Sequence, residues 1–157
     1  MAAASFERGT YFIPRQVRFA QEVEALARLA AGISREGGAS ALQDPHLRRE
    51  IARLAVDSHV LRLKGLRALT HALRGGPPGA EGSSTKLHWS EAHQKMMNIA
   101  MELLGERALQ GPGPAGADPA AALWARDYLW TRAETILAGT SEVQRNILAE
   151  QMLGLPR

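Results

Sequence analysis

The sequence predicts an all-α fold: an antiparallel four-helix bundle with a short additional C-terminal helix. Three observations carry this. Apolar residues recur at helical spacing in four long segments. Those segments are separated by stretches dense in glycine, proline and serine, such as Gly75-Gly-Pro-Pro-Gly-Ala-Glu-Gly82. The 45% hydrophobic content includes only three Trp, two Tyr and three Phe, so the core is aliphatic, which suits packed helices better than a sheet. The 157 residues form one domain, 1–157, long enough to bury a core.

The first helix runs to about Gly32. Phe19, Val23, Leu26, Ala27 and Ala30 supply its apolar face, and Pro14, which cannot donate a backbone N–H, marks either its start or a bend. Ser34-Arg-Glu-Gly-Gly-Ala-Ser40 is a loop. Asp44-Pro45 then gives an N-cap followed by proline in the first turn, opening a long helix to about Arg74. Leu47, Ile51, Leu54 and Leu61 form its main stripe, which Val56, Val60 and Leu63 widen toward a second neighbour.

Ser83-Ser-Thr-Lys86 predicts the cap of a third helix reaching about Gly105, with Trp89, Met96, Ala100, Leu103 and Leu104 on one face. Gln110-Gly-Pro-Gly-Pro-Ala-Gly-Ala117 is a loop before a second cap and proline pair, Asp118-Pro119. The fourth helix carries Leu123, Trp130 and Leu137 at spacing seven, which predicts a core seam.

The closing stretch reads helix, break, helix, stop. Gly139 interrupts the fourth helix, and Ser141-Glu-Val-Gln144 has the form of a capping box that opens the last one. Gly154 and Pro156 end it. The unpaired N–H groups at such a start are a site for polar or anionic ligand atoms.

Composition narrows the function classes. The net charge of +3 comes from 19 basic and 16 acidic residues, which permits nucleic-acid binding without indicating it. Arg49, Arg53, Lys64, Arg67 and Arg74 fall within about 80° on the second helix, but Glu50 and Asp57 intervene, so this is a solvated face. His88, Glu91 and His93 do not share one helix face, which argues against a metal site, and Met96, Met97 and Met101 read as core filler. No apolar run approaches the ~20 residues of a membrane span, and Met1-Ala-Ala-Ala lacks a basic n-region with an apolar h-region. The absence of cysteine removes disulfides and thiolate chemistry. A cytoplasmic protein binding neither nucleic acid nor membrane is the expectation.

Ala138-Gly-Thr-Ser-Glu-Val-Gln-Arg145, continued by Asn-Ile-Leu-Ala-Glu-Gln-Met-Leu-Gly-Leu-Pro-Arg157, resembles the C-terminal signature of acyl-CoA dehydrogenases, especially their bacterial branch. The resemblance implies a C-terminal helical bundle; the family's preceding helical and β-barrel domains cannot be fitted to this chain. It implies FAD as cofactor, an acyl-CoA substrate and hence a place in lipid metabolism. It also implies assembly with like or unlike subunits and an electron acceptor such as electron-transfer flavoprotein.

The family's reaction removes the α-proton of an acyl-CoA while the β-hydrogen passes to flavin as hydride, which requires a positioned base. Many members carry the base just before the Gly-Thr of the signature, where this chain has Ala138, which cannot accept a proton. Others carry it near the start of the domain in an apolar-x-Glu-Arg pattern, which Phe6-Glu7-Arg8-Gly9 resembles. Glu7 is therefore the catalytic candidate.

By the same resemblance Thr140, Ser141 and Glu142 meet the adenosine end of FAD, with Gln144 as a further donor. Arg35 stands near the place of an arginine that reaches the diphosphate, without the phenylalanine that usually accompanies it. Met101-Glu-Leu-Leu-Gly-Glu106 matches a Gln-x-x-Gly-Gly element given to the neighbouring subunit's FAD, with Glu102 for glutamine and one glycine missing. These departures, with Ala138, favour a second reading: a non-catalytic subunit that oligomerises and completes a partner's FAD site.

Overall fold

The computed structural model describes residues 12–35, 37–76, 79–110 and 118–156. Among them are five helices: α1 (Phe12–Gly32), α2 (Pro45–Leu73), α3 (Glu81–Leu104), α4 (Pro119–Glu134) and α5 (Ser141–Leu153). Short 3-10 turns cover Ala41–Gln43 and Gly105–Gln110. The pairing is otherwise helical, save one isolated bridge between Ser34 and Ser40. The bundle expected from the sequence is the observed fold, and no described helix is long and apolar enough to cross a membrane.

The two Asp-Pro starts behave as their chemistry requires. Asp44 accepts from the backbone N–H groups of His46 and Leu47, and Asp118 from those of Ala120 and Ala121. In each case proline occupies the first turn, where a missing N–H costs nothing. At the far end of α5, Gly154 adopts φ 66° and lets its N–H reach back to Ala149 O.

The third helix starts differently from expectation. Ser83 is not its cap: α3 begins at Glu81, after Ala80, with no side-chain cap. The Ser-Ser-Thr run lies inside the helix. Thr85 Oγ1 donates to Glu81 O, and Ser84 Oγ receives Lys64 Nζ at 2.9 Å. Hydroxyls bonded to a preceding carbonyl or to a neighbouring helix are compatible with a helix interior.

α3 is the central helix, packed against all four others. Its Trp89, Met96, Met97, Ile99 and Ala100 meet Phe19, Val23, Leu26 and Ala30 of α1 and Leu47, Ile51, Leu54 and Leu61 of α2. Met96 and Met97 are fully enclosed, as core filler should be, and Met101 packs at the edge. Val56 and Leu63, expected to widen the inner stripe of α2, are exposed instead.

The seam expected on α4 is also overturned. Leu123, Trp130 and Leu137 are each more than half exposed, and Leu137 lies beyond the helix end. The inward face is Ala121, Trp124, Tyr128, Thr131 and Glu134. It is mixed: Ala121, Trp124 and Tyr128 pack on the core, while Thr131 and Glu134 meet polar groups of α3. Gln94 Nε2 donates to Thr131 O and to Thr135 Oγ1, both at 2.9 Å, and Arg132 donates to Asn98. Periodicity located a helical face correctly but could not say which of two faces turns inward.

Candidate functional site at the α4–α5 turn

One end of the bundle gathers four elements. Gln16 near the start of α1 lies against Gly65 late in α2, Lys64 reaches the first turns of α3, and Lys86 of α3 reaches the turn between α4 and α5. That turn reverses the chain through two successive left-handed residues, Ala138 at φ 63° and Gly139 at φ 94°. Glycine is favoured at the second, because φ 94° strains any side-chain-bearing residue and a Cβ there would also stand 2.5 Å from Gln144 Nε2, which would have to shift.

The cap of α5 is Thr140, one residue before the predicted Ser141. Thr140 has extended backbone angles and its Oγ1 accepts from Val143 N–H at 3.3 Å. Ser141 is already helical, so its side chain projects from the first turn instead of closing over it. Gln144 does not complete a capping box either. Its amide donates backwards to Ala138 O at 2.9 Å and weakly to Gly139 O.

The early N–H groups of α5, expected to be open, are largely occupied. Ser141 N–H donates to Thr135 O at 3.0 Å, and Val143 N–H is taken by Thr140. Glu142 folds back onto its own N–H and accepts from the Thr140 hydroxyl. These bonds, ahead of the charges of Arg145 and Lys86, hold its carboxyl below the usual range. What remains is Ser141 Oγ, enclosed and without a hydrogen-bond partner. The turn thus offers one orphaned hydroxyl beside an exposed carboxylate, a set suited to a neutral hydrogen-bonding group and not to a phosphate.

The other predicted site residues do not join it. Arg35 pairs with Asp44 at 3.1 Å, at the start of α2. Lys64, which marks the turn's end of the bundle, is about 30 Å further along that helix. Glu7 lies outside the described residues. The basic face of α2 is dispersed: Arg53 pairs with Glu50, which also takes Lys95, and Lys64 turns inward to Ser84, where burial lowers its pKa.

Two groups were missed by sequence reasoning. Lys86 is only 3% exposed, with Nζ 2.6 Å from Gly139 O. His93 is buried between two acids: Nδ1 donates to Glu134 Oε2 at 2.7 Å, and Nε2 forms an off-line ion pair with Glu22 Oε2 at 3.1 Å. Burial pulls the imidazole down, but the two carboxylates outweigh it and raise its pKa to about 9. Burial likewise pushes Glu22 up, and His93 with Arg18 overcomes it and holds the carboxyl low. Arg18 continues the network to Asp127 at 3.0 Å. His88, considered with His93 as a metal ligand, instead contacts Asp57 at 2.9 Å.

This arrangement of five helices with a left-handed turn before the last can be set against known proteins. The family model for the acyl-CoA dehydrogenase C-terminal domain matches residues 1–153. The chain belongs to the acyl-CoA dehydrogenases. Acyl-CoA dehydrogenase IpdE1 of Mycobacterium tuberculosis is 35% identical over the whole of this chain, which corresponds to 37% of that protein. The chain therefore spans a little over a third of the length of the relatives it matches. Among solved structures, the ChsE4–ChsE5 complex from Mycobacterium tuberculosis superposes with a TM-score of 0.69 at 25% identity, covering 88% of this chain and 36% of that one. The prolyl acyl carrier protein oxidase AnaB shares the fold at a TM-score of 0.76 and 19% identity, over 94% of this chain and 36% of its own.

Proposed function

We propose that the chain is the C-terminal bundle of an FAD-dependent acyl-CoA dehydrogenase that oxidises the α,β bond of an acyl-CoA thioester. The observation that carries the cofactor part is Ser141, a buried hydroxyl without a partner on the first turn of α5. An unsatisfied buried hydroxyl is costly, and a ligand atom that bonds it offsets the cost. Adenine or ribose fits this set. The diphosphate does not, because Glu142 is anionic and the nearby N–H donors are taken.

FAD, when bound, supplies the hydride acceptor. In this reading Thr140, Ser141 and Glu142 hold the adenosine end and Gln144 keeps the turn in shape. Arg35, remote along the same chain, would serve only a cofactor shared with a neighbouring subunit. Glu7 takes the α-proton, its basicity raised as substrate and cofactor exclude water around it. The electrons then leave to an acceptor such as electron-transfer flavoprotein.

Exposed Ala138 favours a second reading, a non-catalytic subunit that completes a partner's site. The exposed Leu123 and Trp130 on α4, with Leu137 just past its end, supply apolar surface suited to a subunit contact.

The test is made on the assembled enzyme containing this chain. Ser141→Ala should weaken FAD binding by about five- to tenfold, the loss of one hydrogen bond. Glu7→Gln should abolish flavin reduction by acyl-CoA with FAD still bound; unchanged reduction would assign the base elsewhere and favour the second reading. If no flavin absorbance develops with FAD and a partner subunit supplied, both readings fail.

A further inference from the structure

A lysine ammonium inside a protein is unfavourable unless its donors are satisfied. Lys86 is 3% exposed, and its Nζ donates to Gly139 O at 2.6 Å. That carbonyl belongs to the second of two left-handed residues, and its orientation sets the direction in which the chain enters Thr140. Gln144 takes the preceding carbonyl, Ala138 O, at 2.9 Å. The two consecutive carbonyls thus take their short bonds from different buried side chains, Gly139 O from Lys86 of α3 and Ala138 O from Gln144 of α5, whose amide also lies 3.5 Å from Gly139 O. The charge of Lys86 also reaches Glu142, where it favours the ionised carboxylate.

We propose that Lys86 is the positioning residue of this turn: its ammonium locks the Gly139 peptide so that Thr140 caps α5 and Ser141 presents its hydroxyl in one direction. The role in cofactor binding rests on the function proposed above; the role in holding the turn does not. A local turn with φ values of 63° and 94° has less favoured backbone angles than a helix, so it opens more readily once the Lys86 bond is removed.

The experiment is hydrogen exchange by NMR on the folded protein, comparing wild type with Lys86→Met, which keeps the apolar stem and removes the charge. Exchange at the Ser141 and Val143 amides should rise by about tenfold or more, with Met96 and Ala100 in the core unchanged. Lys86→Arg, which restores a cationic donor, should bring the turn back toward the wild-type rate. Unchanged exchange at Ser141 and Val143, or an equal rise throughout α3, would overturn the proposal.

Should the methionine variant not fold, the wild-type protein still decides. The Lys86 Nζ ammonium signal should be visible through slow exchange with water and coupled to the Gly139 carbonyl carbon; absence of that coupling refutes the hold. In the FAD-loaded assembly the methionine variant should bind FAD more weakly at unchanged core protection. If the turn loosens while wild type takes no FAD, the positioning role stands and the cofactor reading falls.

Discussion

Raising the pH tests the buried pair of acids around His93. The two carboxylates raise the imidazole's pKa in the folded protein to about 9, from about 6.5 for a free side chain. Because the folded value is raised, the stabilisation is fully present below about pH 6.5 and is lost as the pH climbs through about 9. The difference of roughly 2.5 pH units corresponds to about 3 kcal/mol, a large share of a typical domain's stability. For a chain of this size it lowers the melting temperature by roughly 6–12 °C.

Urea unfolding at about pH 6.5 and about pH 9.5 measures it, with His93→Gln as the reference. That variant has no proton to lose over this range and should show a nearly flat profile. At neutral pH it should already be less stable by about 3–5 kcal/mol, because Glu22 and Glu134 lose the cation between them. Adding Glu134→Gln should recover part of the loss. Parallel pH profiles for wild type and His93→Gln would refute the reasoning. Glu22, held low, acts in the opposite sense: its contribution is present above its open-chain value and is lost as the pH falls through its folded one.

Gly65→Ala places a Cβ 2.0 Å from Gln16 Nε2 and should cost about 1–3 kcal/mol by overpacking; adding Gln16→Ala should relieve much of it, and additive losses in a double-mutant cycle would argue against the contact. Thr140→Ala should lower stability by about 1 kcal/mol through loss of the α5 cap, whereas Ser141→Ala should not, a difference that denaturant midpoints can resolve. Trp130→Lys, on the exposed side of α4, should change the unfolding free energy of the bundle by less than about 0.5 kcal/mol; a loss of several kcal/mol at protein concentrations where the chain is monomeric would show that this face packs within the chain.

The sequence by itself determined the helices and many of their ends. Asp44-Pro45, Asp118-Pro119 and Gly154 act through bonds to residues two to five positions away, so their signals are local and readable. The inner stripe of α1 and the main stripe of α2 were also legible, because Phe19, Val23, Leu26, Leu54 and Leu61 recur at helical spacing, whereas Val56 and Leu63, read as widening the α2 stripe, are exposed. The family was legible too, since its signature is contiguous along the closing stretch.

What only the tertiary structure decided is set by partners distant in the chain. The inward face of α4 depends on Gln94 and His93 of α3, so Leu123 and Trp130 point outward and a row of Trp124, Tyr128, Thr131 and Glu134 points inward. The cap of α5 moved from Ser141 to Thr140 because the Ala138–Gly139 turn delivers the chain one residue earlier. That turn receives a bond from Lys86, 53 residues before Gly139, while His93 meets Glu134, 41 residues later. A buried charge is stable only where the fold brings it a partner, and nothing in the residues flanking Lys86 or His93 specifies which one arrives.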